Sequence, residues 1–237
     1  MKLSIVIPFY NEQDTVLRVL DKVKSVEWPE YLGSYEVICV NDASTDHGEE
    51  RVSEFIEGLN NFTLLSLEKN MGKGAAVRKG FEAAAGDLYF IQDADLELIP
   101  DDIPTMLDAM VELNVQFVNG SRYLPGVNRA LSSYRRYFGN KFFTFLTSVL
   151  INVKLTDMAC GYKLIHKDLY NDICLKEDRF GFEAELILKA LRIKKNKVAE
   201  VPVHYFPRNK GQGKKIRNID GLRILKTIFL YGVLRLK

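Results

Sequence analysis

The chain has 237 residues, of which 47% are hydrophobic and 27% charged, and its net charge is +2. This length and composition allow a buried core and exclude intrinsic disorder and a collagen-like repeat. The charge is unevenly distributed, because residues 1–120 contain 9 Lys/Arg and 22 Asp/Glu, whereas residues 121–237 contain 24 and 9. An acidic half that suits a cation is therefore followed by a basic half that suits phosphates or an anionic surface.

The first 120 residues alternate strand and helix patterns. Apolar, β-rich runs predict strands, and each of the first four is followed by a polar loop and then by residues at helical spacing. The predicted strands are 3–7, 35–40, 63–67, 88–91 and 117–119, and the predicted helices are 16–23, 48–59, 75–85 and 103–113. This alternation predicts an α/β fold with a parallel sheet covered on both faces and its ligands at the strand ends.

The second half is less regular. We expect an aromatic amphipathic helix at 134–151, a helix at 183–191, and a strand at 198–206 that Pro202 interrupts. A loop rich in Gly and Lys follows, and the chain ends in a basic amphipathic helix.

The acidic motif after the fourth strand is Asp93-Ala94-Asp95-Leu96-Glu97. Residues two apart at an extended strand end project to the same side, so three carboxylates would crowd one volume unless a cation joined them. One or two carboxylates completed by phosphates and water describe a Mg²⁺ or Mn²⁺ site on a diphosphate. The alternative is a polar strand end whose acids cap the next helix.

Two further loops carry candidate ligand-binding residues. Asp42, at the end of the second strand, can accept hydrogen bonds from a base or ribose, although a turn with a helix cap is an alternative. Lys73, in the loop before the third helix, can meet an anion together with backbone N–H groups. The loop lacks both the P-loop and the G-x-G-x-x-G pattern, which argues against kinases, GTPases and dinucleotide enzymes.

The remaining sequence features indicate the cellular location that we expect for the protein. Cys39, Cys160 and Cys174 form no C-x-x-C pair, which indicates neither a disulfide framework nor a zinc site and favours a reducing compartment. The apolar run before Pro8 is short for a signal peptide, and no run reaches the length of a membrane span. No nucleic-acid-binding pattern accompanies the basic residues. We therefore expect a cytoplasmic protein.

Taken in order, the motifs resemble the inverting family 2 glycosyltransferases of the Rossmann-like GT-A fold. Within that family, the chain is similar to the branch of dolichyl-phosphate mannosyltransferases and bacterial polyprenyl-phosphate relatives. The motifs are PFYNE (8–12), NDASTD (41–46), KNMGKGAAVRKG (69–80), DADLE (93–97), GSRY (120–123), DMACGYK (157–163), residues 179–185, and RNKGQGK (208–214).

The resemblance implies roles for individual residues. Asp95 and Glu97 would bind the metal, and Asp95, Arg122 and Lys214 would act in catalysis. Glu97 stands where the mannosyltransferases usually have Gln, and Asn41 where the family often has Asp, so the donor stays open between GDP-mannose and UDP-glucose. The expected nucleotide-sugar site, with Lys73 included from its loop, comprises Pro8, Tyr10, Glu12, Val40, Asp42, Lys73, Asp93, Ala94, Asp95, Arg122, Arg208 and Lys214.

The implied reaction moves a hexose from the nucleoside diphosphate sugar to polyprenyl or dolichyl phosphate, with inversion, at the cytoplasmic face of a membrane. A lipid phosphate is already anionic at neutral pH, so the nucleophile needs little deprotonation. Asp157 or Glu183 could instead serve as base for a hydroxyl acceptor. The alternatives are therefore a glycosyltransferase acting on a glycan or other hydroxyl, and an inactive subunit that binds nucleotide sugars.

The expected organisation is a single domain, with a donor and metal half (1–120), an acceptor half (121–207), and a basic loop with an amphipathic C-terminal helix (208–237). That helix either lies on an anionic membrane surface or packs on the domain. The aromatic stripe at 142–146 more often marks core packing. The expected setting is peripheral, on the inner membrane face, with room for a small membrane-protein partner or a homo-oligomer.

Overall fold

The computed structural model describes residues 1–128, 133–194, 197–208 and 218–236. The strands are β1 (Lys2–Phe9), β2 (Ser34–Asn41), β3 (Phe62–Ser66), β4 (Leu88–Ile91), β5 (Phe117–Ser121), β6 (Lys163–His166) and β7 (Val198–Pro202). The helices are α1 (Val16–Ser25), α2 (Gly48–Ile56), α3 (Lys73–Ala83), α4 (Ile103–Glu112), α5 (Tyr134–Ile151), α6 (Lys167–Asn171), α7 (Phe182–Ile193) and α8 (Asn218–Thr227), and α8 continues as a π-helical turn, Ile228–Val233.

The seven strands of the described residues form one sheet in the order β3-β2-β1-β4-β6-β5-β7. Its pairs are parallel except where β6 joins β4 and β5, with which it is antiparallel. The predicted α/β fold with a mostly parallel sheet is confirmed. Sequence patterns missed β6 and α6, and the strand predicted at 198–206 ends at Pro202.

Two apolar clusters cover the faces of the sheet. One joins it to α1, α2 and α4, and the other joins it to α3, α5, α7 and the C-terminal helix. Both faces of the sheet are therefore covered by helices, as predicted. Among the described residues, no helix combines the length and the apolar character that crossing a bilayer requires.

The carboxyl ends of the first strands meet at one edge of the sheet. Pro8 pairs with Val40 and Phe9 with Asn41 between β1 and β2, and β4 lies on the other side of β1. The Asp42 amide also donates to the Phe9 carbonyl at 2.9 Å. The polar loops that follow β1, β2 and β4 are thereby brought together, as the alternation of strands and helices predicts.

Candidate functional site

Asp42 fixes the loop that precedes α3. Its carboxylate accepts hydrogen bonds from the amides of Met71 at 2.7 Å and Gly72 at 2.8 Å, and from Asn70 Nδ2 at 3.0 Å. Gly72 has a φ of +108°, a conformation that favours glycine. The residue expected to contact the nucleotide therefore also shapes the neighbouring loop.

The loops after β1 and β2 are joined through Asn11. Its Oδ1 accepts from the Thr45 amide at 2.8 Å, and its own amide donates to Ser44 Oγ at 3.0 Å. Asn41, which stands where the family often has Asp, donates from Nδ2 to Glu49 Oε2 of α2 at 2.7 Å. This bond directs the Asn41 side chain toward α2.

The acidic motif begins directly after β4 and is held by buried Gln92. Gln92 Nε2 donates to the carbonyls of Asp93 at 2.9 Å and Leu98 at 3.3 Å, and its Oε1 accepts from Tyr162 Oη at 2.7 Å. Leu96 has a φ of +60°, which is uncommon for a residue with a side chain. Asp95 Oδ1 accepts from the Glu97 amide at 3.0 Å.

Lys73 lies between two carboxylates. Its Nζ is 2.5 Å from Asp93 Oδ1 and 2.8 Å from Glu183 Oε1. Burial disfavours the charged amine, but the charges of Asp93 and Glu183 outweigh that cost and raise the pKa of Lys73. Lys73 is therefore a fixed positive charge at the edge of the acidic motif.

Arg208 connects the loop after β1 with the acidic motif. Its Nη2 lies 2.7 Å from Glu12 Oε2, its Nε donates to the Asp95 carbonyl at 2.7 Å, and its amide donates to Glu97 Oε1 at 2.9 Å. A basic residue of the second half thus reaches the acidic first half. Glu97 Oε2 also accepts from Tyr205 Oη at 3.2 Å.

Asp95 is compensated only in part, by the Glu97 amide and the charge of Arg208. Burial, followed by the charges of Asp93 and Glu97, raises its pKa to about 7. These side chains supply the oxygen donors that Mg²⁺ and Mn²⁺ prefer, and their crowding would be relieved by a cation. Within the described ranges, no group of three or more His, Cys, Asp or Glu side chains is placed to hold a metal alone. The donor set therefore fits a site of one or two carboxylates that a diphosphate would complete.

Arg122 forms a second charged centre with Asp157, which is fully buried. Arg122 Nε and Nη2 donate to the two Asp157 oxygens at 2.7 and 2.9 Å, and the Arg122 amide adds a bond at 3.0 Å. Asn140 Nδ2 donates to Asp157 Oδ1 at 2.9 Å. Burial opposes ionisation of Asp157, but the charge and hydrogen bonds of Arg122 and the bond from Asn140 outweigh it, so its pKa is lowered.

The segment between α5 and β6 is anchored by contacts that sequence patterns did not indicate. Glu200 of β7 accepts from the Thr156 amide at 2.8 Å and from Asn119 Nδ2 at 2.8 Å. A Cβ on Gly161 would lie 2.0 Å from Asp93 Oδ2, so glycine at this position lets the segment approach the acidic motif. In the sequence, only the DMACGYK motif (157–163) indicated that this segment belongs to the site.

The structure places the expected site residues in different surroundings. Lys214 lies outside the described residues, and Pro8, Val40 and Ala94 are buried. Arg122 is engaged with Asp157. Those around the acidic motif and the loops beside it are Tyr10, Glu12, Asp42, Lys73, Asp93, Asp95, Glu97 and Arg208.

Comparison with known families identifies the chain. A family model described as Glycosyl transferase family 2 matches residues 4–174, which include the motifs from β1 to β6. The chain belongs to glycosyltransferase family 2. This family 2 glycosyltransferase is 30% identical over 237 residues to a dolichyl-phosphate beta-glucosyltransferase of Trichomonas vaginalis, covering 93% of this chain and 69% of the relative.

A second relative is a dolichol-phosphate mannosyltransferase of Pyrococcus furiosus, 27% identical over 234 residues, with 98% of this chain and 62% of that relative covered. The family 2 glycosyltransferase described here therefore spans roughly two thirds of the length of these relatives.

The fold matches that of a solved structure. Glucosyl-3-phosphoglycerate synthase from Mycobacterium tuberculosis, in complex with Mn²⁺, UDP and glucosyl-3-phosphoglycerate, superposes with a TM-score of 0.71 at 18% identity. The match covers 98% of this chain and 80% of that one. At this identity the likeness establishes the fold, which is GT-A-like in this family 2 glycosyltransferase.

Proposed function

We propose that the protein transfers a hexose, with inversion, from a nucleoside diphosphate sugar to a polyprenyl or dolichyl phosphate. The two sequence relatives are named for glucosyl and mannosyl transfer to dolichyl phosphate, so UDP-glucose and GDP-mannose are the donors to test first. Asn41 and Glu97 differ from the family's usual residues and leave that choice open.

The observation that carries the proposal is the acidic motif and the two cations on it. Asp95 and Glu97 lie in one short loop at the strand edge, with Lys73 on one side and Arg208 on the other. A nucleoside diphosphate gains negative charge as the glycosidic bond breaks, and fixed positive groups stabilise that charge. The same loop thus suits both a cation and a departing diphosphate.

Asp95 and Glu97 would hold Mg²⁺ or Mn²⁺ in this proposal, and the structural neighbour's complex contains Mn²⁺. A bound divalent cation neutralises charge on phosphoryl oxygens without requiring a proton transfer. The protein's own part is to keep the two carboxylates in place, through the Glu97 amide on Asp95 and through Tyr205 and the Arg208 amide on Glu97.

A phosphate acceptor is favoured because both candidate bases, Asp157 and Glu183, are already bound to cationic side chains. Asp157 is occupied by Arg122 and Asn140, and Glu183 lies 2.8 Å from the Lys73 ammonium. A carboxylate bound in this way is poorly suited to remove a proton from a hydroxyl. A lipid phosphate, whose second pKa is about 6, needs no such removal at neutral pH.

The proposed reaction then needs no protein nucleophile. A phosphate oxygen of the acceptor attacks the sugar's anomeric carbon, the bond to the diphosphate breaks with its electron pair, and the nucleoside diphosphate leaves from the opposite face. Pro8, Tyr10, Glu12, Val40, Asp42, Asp93 and Ala94 form the donor pocket in this proposal, and Lys73, Arg122, Arg208 and Lys214 provide positive charge.

The proposal is tested by measuring turnover for each combination of donor, metal ion and acceptor. Purified protein is incubated with GDP-mannose or UDP-glucose, Mg²⁺ or Mn²⁺, and a short-chain prenyl phosphate, and the product's anomeric configuration is read by NMR. The proposal expects turnover that depends on metal and prenyl phosphate and gives an inverted product. Turnover that prenyl phosphate does not stimulate would favour a hydroxyl acceptor, and nucleotide binding without turnover would favour an inactive subunit.

We also propose that the protein works at an anionic membrane surface. One face of α5 exposes a row of large apolar side chains without any acidic residue in the helix: Tyr134 (77% exposed), Phe138 (63%), Phe142 (45%), Phe145 (64%) and Val149 (62%). The stripe expected to pack in the core is divided, because Phe143 and Leu146 pack against the core cluster while Phe142 and Phe145 stay exposed.

The C-terminal helix adds a second exposed apolar row beside α5. Leu222, Phe229 and Val233 are about half exposed or more, and Gly232 lies close to Leu150 of α5. Exposed Arg135, Arg136, Arg223 and Lys226 accompany the two rows. Apolar side chains with basic neighbours suit the headgroup region of an anionic bilayer.

Vesicle co-sedimentation tests this location. The pair Phe138→Ser and Phe145→Ser should lose binding to vesicles of phosphatidylcholine with phosphatidylglycerol. The matched control pair is Val111→Ser and Leu113→Ser, which removes exposed apolar side chains near α4 on the opposite face of the sheet. Equal binding by both pairs would contradict the proposed docking face.

A further inference from the structure

A cationic cavity of about 550 Å³ lies between the loop before α3, the segment before α7, and α8. Its lining does not include Tyr10, Asp42, Asp93 or Asp95, although it shares Asn70 and Met71 with the loop that Asp42 holds. The basic residues that line it are Lys69, Lys176, Arg179, Arg223 and Lys226. The donor and metal site proposed above uses none of these five, although Arg223 and Lys226 also accompany the exposed apolar rows of the proposed membrane face.

The lining carries an excess of positive charge. Its acidic members are Glu177 and Asp178, and Asp178 is paired with Arg78, which lies outside the cavity. Arg223 is paired with Asp220 at 3.0 Å, and Glu177 lies close enough to Lys226 for their charges to interact.

Three of the basic residues have no carboxylate partner among the described residues. Within the part of the chain that the structure describes, Lys69, Lys176 and Arg179 form no ion pair within 4.0 Å. Several cations facing one cavity repel one another, and a bound anion would relieve that repulsion.

The walls of the cavity are fixed in place. The fully buried Glu185 carboxylate accepts from the amides of Lys176 and Glu177 at 2.9 and 2.8 Å, and Arg78 Nη1 donates to the Glu177 carbonyl at 2.7 Å. The Asp178 carbonyl accepts from the Ala75 amide at 3.1 Å. The segment that presents Lys176 and Arg179 is thereby tied to α3 and α7.

The wall formed by α8 is packed equally closely. A Cβ on Gly181 would lie 2.5 Å from Thr227 Oγ1 and 2.8 Å from Glu177 Oε2, so α8 approaches the segment before α7 without room for a side chain there. The cations of α8 and of that segment therefore face one preformed space.

We infer that this cavity is a second anion site, which binds a phosphate group separately from the donor's diphosphate. Lys176 and Arg179 supply charged donors from one wall, and Lys69 and Lys226 from the other two. Arginine and lysine are the usual side chains for phosphate. A free phosphate and the headgroup phosphate of a lipid share this chemistry, and the exposed apolar row of α8 lies on the same helix as Lys226.

Two cavity variants and one control test the site. The cavity variants are Lys176→Gln with Arg179→Gln, and Lys69→Gln with Lys226→Gln. The control is Lys154→Gln with Lys197→Gln, which removes the same charge from exposed positions outside the cavity. Each folded protein is titrated with inorganic phosphate by calorimetry at low salt, with and without saturating UDP or GDP and Mg²⁺. Each is also co-sedimented with phosphatidylcholine vesicles with and without phosphatidylglycerol.

We expect both cavity variants to bind phosphate, anionic vesicles or both about tenfold more weakly than the control, since each loses two charged hydrogen-bond donors. Weaker binding of inorganic phosphate alone would identify a free phosphate as the ligand, and weaker binding of anionic vesicles would identify a lipid headgroup. Equal affinity in cavity and control variants would overturn the inference, and so would loss of phosphate binding when nucleotide is added. If one cavity variant does not fold, the other decides. The readouts are binding alone, so a failure of the proposed transferase activity would not be mistaken for a failure of this site. Because Lys226 also accompanies the proposed membrane face, the variant Lys176→Gln with Arg179→Gln decides the vesicle measurement.

Discussion

The acidic motif and the Arg122–Asp157 pair are both charged centres, yet their charges are balanced to different degrees. Asp157 is fully buried and receives three bonds from Arg122 and one from Asn140. Among the described residues, Asp95 accepts one bond, from the Glu97 amide, and the charge of Arg208 offsets only part of the repulsion from its two carboxylate neighbours, Asp93 and Glu97. The pKa of Asp157 is consequently lowered and that of Asp95 is raised to about 7.

This difference separates a centre that is complete within the protein from one that requires a ligand. A buried carboxylate whose bonding capacity is filled stabilises the arrangement of chain segments around it. Carboxylates that repel one another gain from a cation, and so favour binding. Substitutions at Asp157 should therefore affect folding first and activity only through Arg122, whereas substitutions in the acidic motif should affect activity directly.

The largest expected effect is on stability, at Asp157. The variant Asp157→Ala leaves the Arg122 guanidinium buried without its carboxylate, and breaking a buried pair in this way costs about 3–5 kcal/mol. Urea denaturation should show this loss in the free energy of unfolding. The double variant Asp157→Leu with Arg122→Met should recover much of it, because no charge then stays unpaired. A loss below about 1 kcal/mol in the single variant would mean that the pair is not structural.

At Asp95 we expect a large loss of activity and no loss of stability. The variant Asp95→Asn keeps the shape of the side chain but removes a charge that the metal and diphosphate would need, so turnover should fall by about 10² to 10³. The melting temperature should stay equal or rise, because repulsion from Asp93 and Glu97 is removed. Activity at the wild-type level would place the cation elsewhere, and a large loss of stability would remove the contrast with Asp157.

The sequence predicted the features that arise from neighbouring residues. Six of the seven described strands were recognisable as apolar, β-rich runs, and the acidic motif was recognisable because its three carboxylates lie within five residues. Convergence of the loops then followed from the general geometry of parallel sheets. The resemblance to the family could be recognised only from all the motifs taken together in their order.

The rest depends on contacts between distant residues. Arg122 and Asp157 are 35 positions apart, and nothing local showed that they pair with each other. The strand β6 has only four residues and starts with Lys163, whose charge interrupts the apolar run although the side chain is fully buried. Lys163 Nζ donates to the carbonyls of Met158 and Cys160, contacts that only the fold creates.

An intermediate effect is expected at Gly161, which follows Asp157 by four residues and lies against the acidic motif. In Gly161→Ala the new methyl group would lie 2.0 Å from Asp93 Oδ2, so Asp93 or the segment must move. We expect a loss of about 1–3 kcal/mol in unfolding free energy, together with reduced turnover because Asp93 holds Lys73. Gly139→Ala in α5, where a Cβ meets nothing within 4 Å, is the control and should be neutral or stabilising. Unchanged melting and turnover in Gly161→Ala would show that the acidic motif tolerates displacement.

The smallest effect is the pH dependence of the stability that Asp157 provides. Because its pKa is lowered in the folded state, its contribution is fully present above the unfolded value of about 3.9 and is lost as pH falls through the folded value. Wild type should therefore be more stable than Asp157→Asn by a constant amount above about pH 5. That advantage should shrink below about pH 4, since a protonated Asp and an Asn leave Arg122 in the same unpaired state. Urea denaturation of both proteins across this range measures the difference, and an advantage that grew on acidification would mean that Asp157 is not held ionised by Arg122.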